Sequence, residues 1–217
     1  MIDLANIELV IFDCDGVLVD SERISQSIMA ELTTLWGYPC TTEEARRLYM
    51  GHSLTKCLQI MREDLLIPAP DEFLAFYDQK IAAAFQEGLL AVPGIHAVLQ
   101  NLSLKKCVAS NGRLDKMQIN LAKAGLLPFF APHIYSAEQV SRPKPAPDLF
   151  LFAAQQFQIH PKKCLVIEDS AHGVRAAKAA GMRVWGFCDT SAPETLAAAG
   201  ADVLFYSMAE LQMWLTP

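Results

Sequence analysis

The sequence predicts an α/β fold, a doubly wound parallel sheet with helices on its faces and one helical insertion after the first strand. Three observations predict it. Short apolar runs of strand length alternate with longer amphipathic stretches, the pattern of parallel strands joined by crossover helices. Residues 21–85 break that alternation with helical patterns alone and are too long for a loop. Polar clusters follow the apolar runs, where a doubly wound sheet binds its ligands.

Buried strands are expected at Leu9 to Phe12, Lys105 to Ala109, Cys164 to Ile167 and Arg183 to Phe187. Helices are expected at Ile95–Leu102, Asp115–Ala124, Asp148–Gln156, Gly173–Ala180 and Glu194–Ala199, with Gly125, Gly181 and Gly200 as C-terminal caps. Within the insertion, the helical patterns cover Ser25–Leu35, Thr42–Tyr49, Leu54–Leu65 and Asp71–Phe85. The "AVPG" stretch at 91–94 returns the chain to the α/β layer. The expected organisation is a core of residues 1–18 and 88–217 and a helical domain of residues 19–87.

With 217 residues, 52% of them hydrophobic and 19% charged, the chain can bury a sizeable core. Its net charge of -6 comes without any lysine or arginine cluster, which argues against nucleic acid or an anionic membrane as partner. An anionic ligand would therefore need a local cation. The six cysteines show no CxxC pair and no zinc-ligand spacing, and read as reduced thiols. The first residues lack a basic-then-apolar signal, and no apolar run approaches the ~18 residues of a membrane span. A cytoplasmic location is expected; the oligomeric state stays open, with a monomer as the default.

"FDCDGVLVDSE", residues 12–22, sets Asp13 and Asp15 directly behind a buried strand. Like charges so close repel unless a cation or a proton is shared. A calcium loop does not explain them, because its glycine comes sixth and a glutamate twelfth, whereas Gly16 is fourth here. Ser110-Asn111-Gly112 follows the next strand, Lys144 lies in "RPKPAPD", and Glu168-Asp169 follow the strand from Cys164. Taken singly, these are a turn, a solvated linker lysine and helix-start chemistry. Prolines 143, 145 and 147 stiffen the backbone around Lys144, and Pro147 can open a helix. One account covers all four clusters: a phosphate site with an oxygen cage for Mg²⁺, in which Asp13 and Asp169 are carboxylate ligands and Glu168, with the rest of its turn, supports the metal through water or from behind those ligands.

"DCDGVLVDSE", "VASNGR", "RPKPAPD" and "VIEDSAHG", in this order, resemble the four motifs of the haloacid dehalogenase superfamily, in its branch with a helical cap between motifs one and two. The resemblance implies a Rossmann-like core, Mg²⁺ dependence and an aspartyl-phosphate intermediate. It makes Asp13 the nucleophile and a metal ligand. Asp15 becomes the acid and base, with its backbone carbonyl on the metal. Ser110 and the backbone of Asn111 hold the phosphoryl group, and Lys144 offsets its charge. Dehalogenases and phosphonatases of the superfamily lack an aspartate at the place of Asp15, so both are disfavoured.

A phosphatase acting on small phosphorylated metabolites, such as sugar, polyol or sugar-acid phosphates, is the preferred expectation. The β-phosphoglucomutase branch shares the motifs but has a histidine near the start of the cap and an arginine in the cap loop. Here no histidine precedes His52, and "YMGHSLTK" has Leu54 at the arginine's place. A phosphotransferase of that type stays as the alternative. Receiver domains, which use similar groups in another chain order, and a silent phosphate-binding scaffold stand behind it. Substrate contacts are expected from Arg23, Gly51, His52 and Arg113, with Arg46, Arg47, Lys56 and Arg142 as further candidates, although arginines on helices are often solvated. Cys14 is expected in the core, His172 at a helix-start surface, and the three tryptophans in packing.

Overall fold

A computed structural model describes residues 6–49, 54–87, 90–189 and 191–215. In chain order, β1 (Leu9–Phe12) leads to the helices α1 (Ser21–Leu35), α2 (Thr42–Tyr49), α3 (Leu54–Gln59) and α4 (Phe73–Glu87). Then come α5 (Ile95–Asn101), β2 (Lys105–Ser110), α6 (Leu114–Lys123), α7 (Leu127–Phe130) and β3 (Ile134–Ser136). The chain finishes with α8 (Asp148–Gln156), β4 (Cys164–Glu168), α9 (Ala171–Ala179), β5 (Arg183–Phe187), α10 (Pro193–Ala199), β6 (Val203–Phe205) and α11 (Met208–Leu215). It divides into two compact units, Met1–Val19 with Leu90–Pro217 and Asp20–Leu89.

In the first unit the six strands form one parallel sheet of order β3-β2-β1-β4-β5-β6, the Rossmann order, which reverses direction at β1. All four residues of β1 are fully buried, as a central strand covered on both faces requires. Leu9 and Ile11 face a core shared with Leu149 and Phe150 of α8, Val174 and Ala177 of α9 and Leu196 of α10. On the other face, Phe12 meets Phe130 of α7 edge to face, with ring centroids 5.8 Å apart. Trp185 and Trp214 pack edge to face as well. Ser170 caps α9 by accepting from the Gly173 amide at 3.0 Å, and Gly200 ends α10 at φ 103°, a left-handed conformation that glycine adopts without strain.

The second unit has its own core of Leu32, Tyr49, Met61, Phe73 and their neighbours. Asp20 caps α1 through the Arg23 amide at 2.9 Å. Buried Thr33 donates to the Met29 carbonyl at 2.6 Å and meets the Tyr49 hydroxyl at 3.0 Å. Trp36 packs on Phe73. The helix expected over Leu54–Leu65 ends differently: after α3 the backbone widens into a π turn at Ile60–Asp64, closed by the Leu65 amide on the Ile60 carbonyl, which keeps Ile60 and Met61 both buried.

The four expected strands are present. β3 and β6, three residues each at the two sheet edges, are additions that the apolar pattern does not reveal, as are α7 and α11. All six cysteines are free thiols, with Cys14 fully buried. Among the described residues, no helix is long and apolar enough to cross a membrane.

Candidate active site

The carboxyl ends of β1, β2 and β4, with the loop before α8, surround a cavity of about 290 Å³. Asp13 follows β1 and extends its ladder, its amide donating to the Ile167 carbonyl at 3.0 Å. The chain then turns sharply: the amides of Leu18 and Val19 both donate to the Cys14 carbonyl. That turn buries Cys14 and sets Asp13 and Asp15 on the cavity. Gly16, at φ 81°, makes the turn possible and leaves room for Asp169, whose Oδ2 would lie 2.1 Å from a Cβ placed there.

Lys144 brings an ammonium into the cavity. Its side chain is 4% exposed, and its ammonium donates at 2.7 Å to both Asp13 Oδ1 and Glu168 Oε1. Beneath it lies the Phe150 ring, 4.6 Å from Nζ to centroid, within cation–π range. Glu168, fully buried at the end of β4, also accepts from the amide and the hydroxyl of Ser170, both at 2.9 Å. Gly173 makes this fit, because a Cβ there would stand 1.7 Å from Glu168 Oε1. Ser110 Oγ accepts from the Gly112 amide at 3.2 Å, while Ser136 Oγ donates to the Gly112 carbonyl at 2.7 Å. The Asn111 carboxamide reaches across to the Lys144 backbone.

Electrostatics follow from this crowding. Burial pushes the Asp13 carboxyl up to about 7; Lys144 opposes the rise, while Glu168 and Asp15 add to it. Burial works against the Lys144 charge, but Asp13 and Glu168 outweigh it and hold the ammonium above its ordinary range. The Asp15 side chain opens to solvent, yet the surrounding protein raises its carboxyl above the usual range, an effect Lys144 partly offsets. The Cys14 thiol is raised by burial and then by Asp15 and Asp13, which keeps it protonated and unreactive.

Asp13, Glu168 and Asp169 each bring a carboxylate oxygen within 4.8 Å of the others. Three hard oxygen donors suit Mg²⁺, which takes carboxylates and completes its shell with water or phosphate. The residues present thus fit the ion.

Seven core residues expected at the site, Asp13, Asp15, Ser110, Asn111, Lys144, Glu168 and Asp169, line this one cavity, and Gly112 joins them there. Arg113 sits one residue past it with its guanidinium on Asp115, and Arg142 is paired with Asp148. Arg23 lies in the second unit, bonded to Asp20. Gly51 and His52 fall outside the described residues. His172 is exposed on α9, as expected, but it also borders the cavity. Sequence reasoning missed Phe150, Ser136, the Gly173 cradle and the Asn111 side-chain contact. Gly173 stands inside the quoted motif "VIEDSAHG"; Phe150 left no signal beyond its place on an apolar helix face.

A Rossmann-ordered sheet with carboxylates, a lysine and hydroxyls gathered at its carboxyl edge is the architecture of an α/β enzyme. The profile of the haloacid dehalogenase-like hydrolase family matches residues 10–187. The chain is 32% identical to the 6-phosphogluconate phosphatase of Escherichia coli K12, over 85% of this chain and 84% of that one. It superposes on a HAD family hydrolase from Deinococcus radiodurans R1, crystallised with bound phosphate and sodium, with TM-score 0.82, 32% identity and coverage of 97% and 96%. A putative β-phosphoglucomutase from Thermotoga maritima gives TM-score 0.73 and 28% identity, covering 96% of this chain and 98% of that one. The chain belongs to the haloacid dehalogenase-like hydrolase family.

Proposed function

We propose that this hydrolase is a Mg²⁺-dependent phosphatase of small phosphate monoesters, in the class of sugar, polyol and sugar-acid phosphates, working through an aspartyl-phosphate on Asp13. One observation carries the reading. Asp13 has Oδ1 held by Lys144 while Oδ2 makes no hydrogen bond among the described residues, and two residues on Asp15 is likewise without a hydrogen bond at the cavity. That is the arrangement of a nucleophile beside a proton carrier.

In the first step Asp13 Oδ2 attacks phosphorus, the bond to the leaving alcohol oxygen breaks, and Asp15 gives that oxygen its proton. In the second, a water attacks the same phosphorus, Asp15 takes the water's proton, and the bond to Asp13 breaks to release phosphate. Ser110 and the Asn111 amide orient the phosphoryl oxygens, and Lys144 stabilises the charge that develops on them. Asp13, Glu168, Asp169 and the main-chain carbonyl of Asp15 would hold Mg²⁺, which when bound supplies charge neutralisation as a Lewis acid. The second unit, residues 20–89, is assigned the role of a cap that selects the leaving group, with Arg23, Gly51 and His52 as candidate contacts. The likeness to the 6-phosphogluconate phosphatase supports a sugar-acid phosphate as first choice of substrate.

The test is phosphate release from a panel of sugar, polyol and sugar-acid phosphates, with and without Mg²⁺, for the native chain and Asp13→Asn. Expected is Mg²⁺-dependent release that the variant loses. Conversion of a sugar phosphate into its isomer without release would instead favour a phosphotransferase, the reading that the Thermotoga likeness supports. Neither product from any ester would overturn both.

A further inference from the structure

The Lys144 loop has few hydrogen bonds of its own. Pro143 and Pro145 flank the lysine and cannot donate, and the loop's own turn is closed by the Ala146 amide on the Pro143 carbonyl. The Lys144 backbone is paired instead with one side chain, 33 residues away. Its amide donates to Asn111 Oδ1 at 3.0 Å, and Asn111 Nδ2 donates to its carbonyl at 3.2 Å. Along one edge a carboxamide presents an N–H donor and a carbonyl acceptor in a single plane. It therefore mimics a strand neighbour for a residue that has none.

We propose that Asn111 is a positioning residue whose carboxamide docks the Lys144 backbone and so sets the ammonium between Asp13 and Glu168. The inference rests on the proposed role of Lys144 in offsetting phosphoryl charge. A lysine side chain has four rotatable bonds, so two ammonium contacts at 2.7 Å persist only if the Cα is fixed. Phe150 fixes the side chain from below, and Asn111 fixes the backbone. A misplacement of about 1 Å at such a group can lower turnover by on the order of 100-fold.

The experiment is a double-mutant cycle of Asn111→Ala and Lys144→Met, read as kcat/KM on the best ester of the panel. Melting temperatures and the ¹⁵N spectrum of the lysine ammonium groups are recorded for each protein. Asn111→Ala is expected to lower kcat/KM by on the order of 10–100-fold in the native background and less than about twofold in the Lys144→Met background. Asn111→Asp keeps the acceptor but turns an oxygen toward the Lys144 carbonyl, and is expected to lose at least as much. The Lys144 ammonium resonance, assigned by its absence in Lys144→Met, should move or broaden in Asn111→Ala. An equal loss in both backgrounds, native activity in Asn111→Asp, or an unmoved ammonium resonance would each overturn the proposal. If Lys144→Met alone is as active as the native enzyme, the role given to Lys144 fails, while the resonance still decides whether Asn111 positions it.

Discussion

Asp13 combines catalytic promise with a stability penalty. Its carboxyl is raised from an ordinary 3.8 to about 7, first by burial and then by Glu168 and Asp15, against the pull of Lys144. The folded chain therefore holds the Asp13 proton where the unfolded chain has released it. The stability this contributes is fully present below about 3.8 and lost as pH rises through about 7. Lys144, shifted upward from 10.5, titrates well above that window and does not alter the sign. In metal-free buffer, Asp13→Asn should thus be more stable than the native protein at pH 8, by on the order of 1–4 kcal/mol, with the gain vanishing near pH 4. Urea unfolding of both proteins in EDTA at the two pH values measures it. A loss of stability at pH 8, or the same gain at both, would show that the buried carboxylate is not strained.

At the scale of elements, the junction of β4 and α9 decides the site. Glu168 ends the strand, Ser170 caps the helix, and Gly173 in the first helical turn lies so close that a Cβ would overlap the Glu168 carboxylate, at 1.7 and 2.3 Å from its two oxygens. Gly173→Ala must expel Glu168, taking with it the second partner of Lys144 and one carboxylate of the acidic trio. Expected are a fall in kcat/KM of at least ~100-fold and a higher Mg²⁺ requirement. Gly181→Ala serves as the comparison. Nothing lies within 4 Å of its Cβ, but φ is 73°, so it should lower stability by about 1 kcal/mol and leave the Mg²⁺ titration unchanged. Identical titrations for native and Gly173→Ala would remove Glu168 from the metal's surroundings. This junction also shows what the sequence could reveal. Central strands such as β1 and β4 are apolar runs bounded by turn chemistry, and the polar residues behind them announced the cavity. β3 and β6 have three residues each, too few for a period to emerge. The pairings of Asn111 with Lys144, 33 residues apart, and of Lys144 with Asp13, 131 apart, depend on how the loops fold over the sheet edge. No local pattern encodes that, nor the volume Gly173 must leave empty.

For the whole molecule the balance of charge predicts an order of binding. The chain carries a net charge of -6, and among the described residues that line the cavity the carboxylates of Asp13, Asp15, Glu168 and Asp169 face one ammonium, that of Lys144. A phosphate monoester approaching this edge meets repulsion from both the global field and the local one. A divalent cation reverses the local sign, so metal should bind before substrate and stabilise the fold as it does. At 100 times its dissociation constant such a ligand adds about 2.7 kcal/mol, and a chain of this length gains roughly 2–4 °C in melting temperature per kcal/mol. Mg²⁺ is therefore expected to raise the melting temperature by about 5–10 °C. Inorganic phosphate should add a further rise in the presence of Mg²⁺ and none in EDTA. Asp169→Asn, which removes one carboxylate of the trio without touching the Lys144 pairs, should abolish most of the Mg²⁺ shift. Thermal melts across a Mg²⁺ titration, with and without phosphate, decide it. A phosphate shift of equal size in EDTA would mean that Lys144 and the loop amides overcome the acidic surroundings alone, and that the carboxylates serve some purpose other than holding a cation.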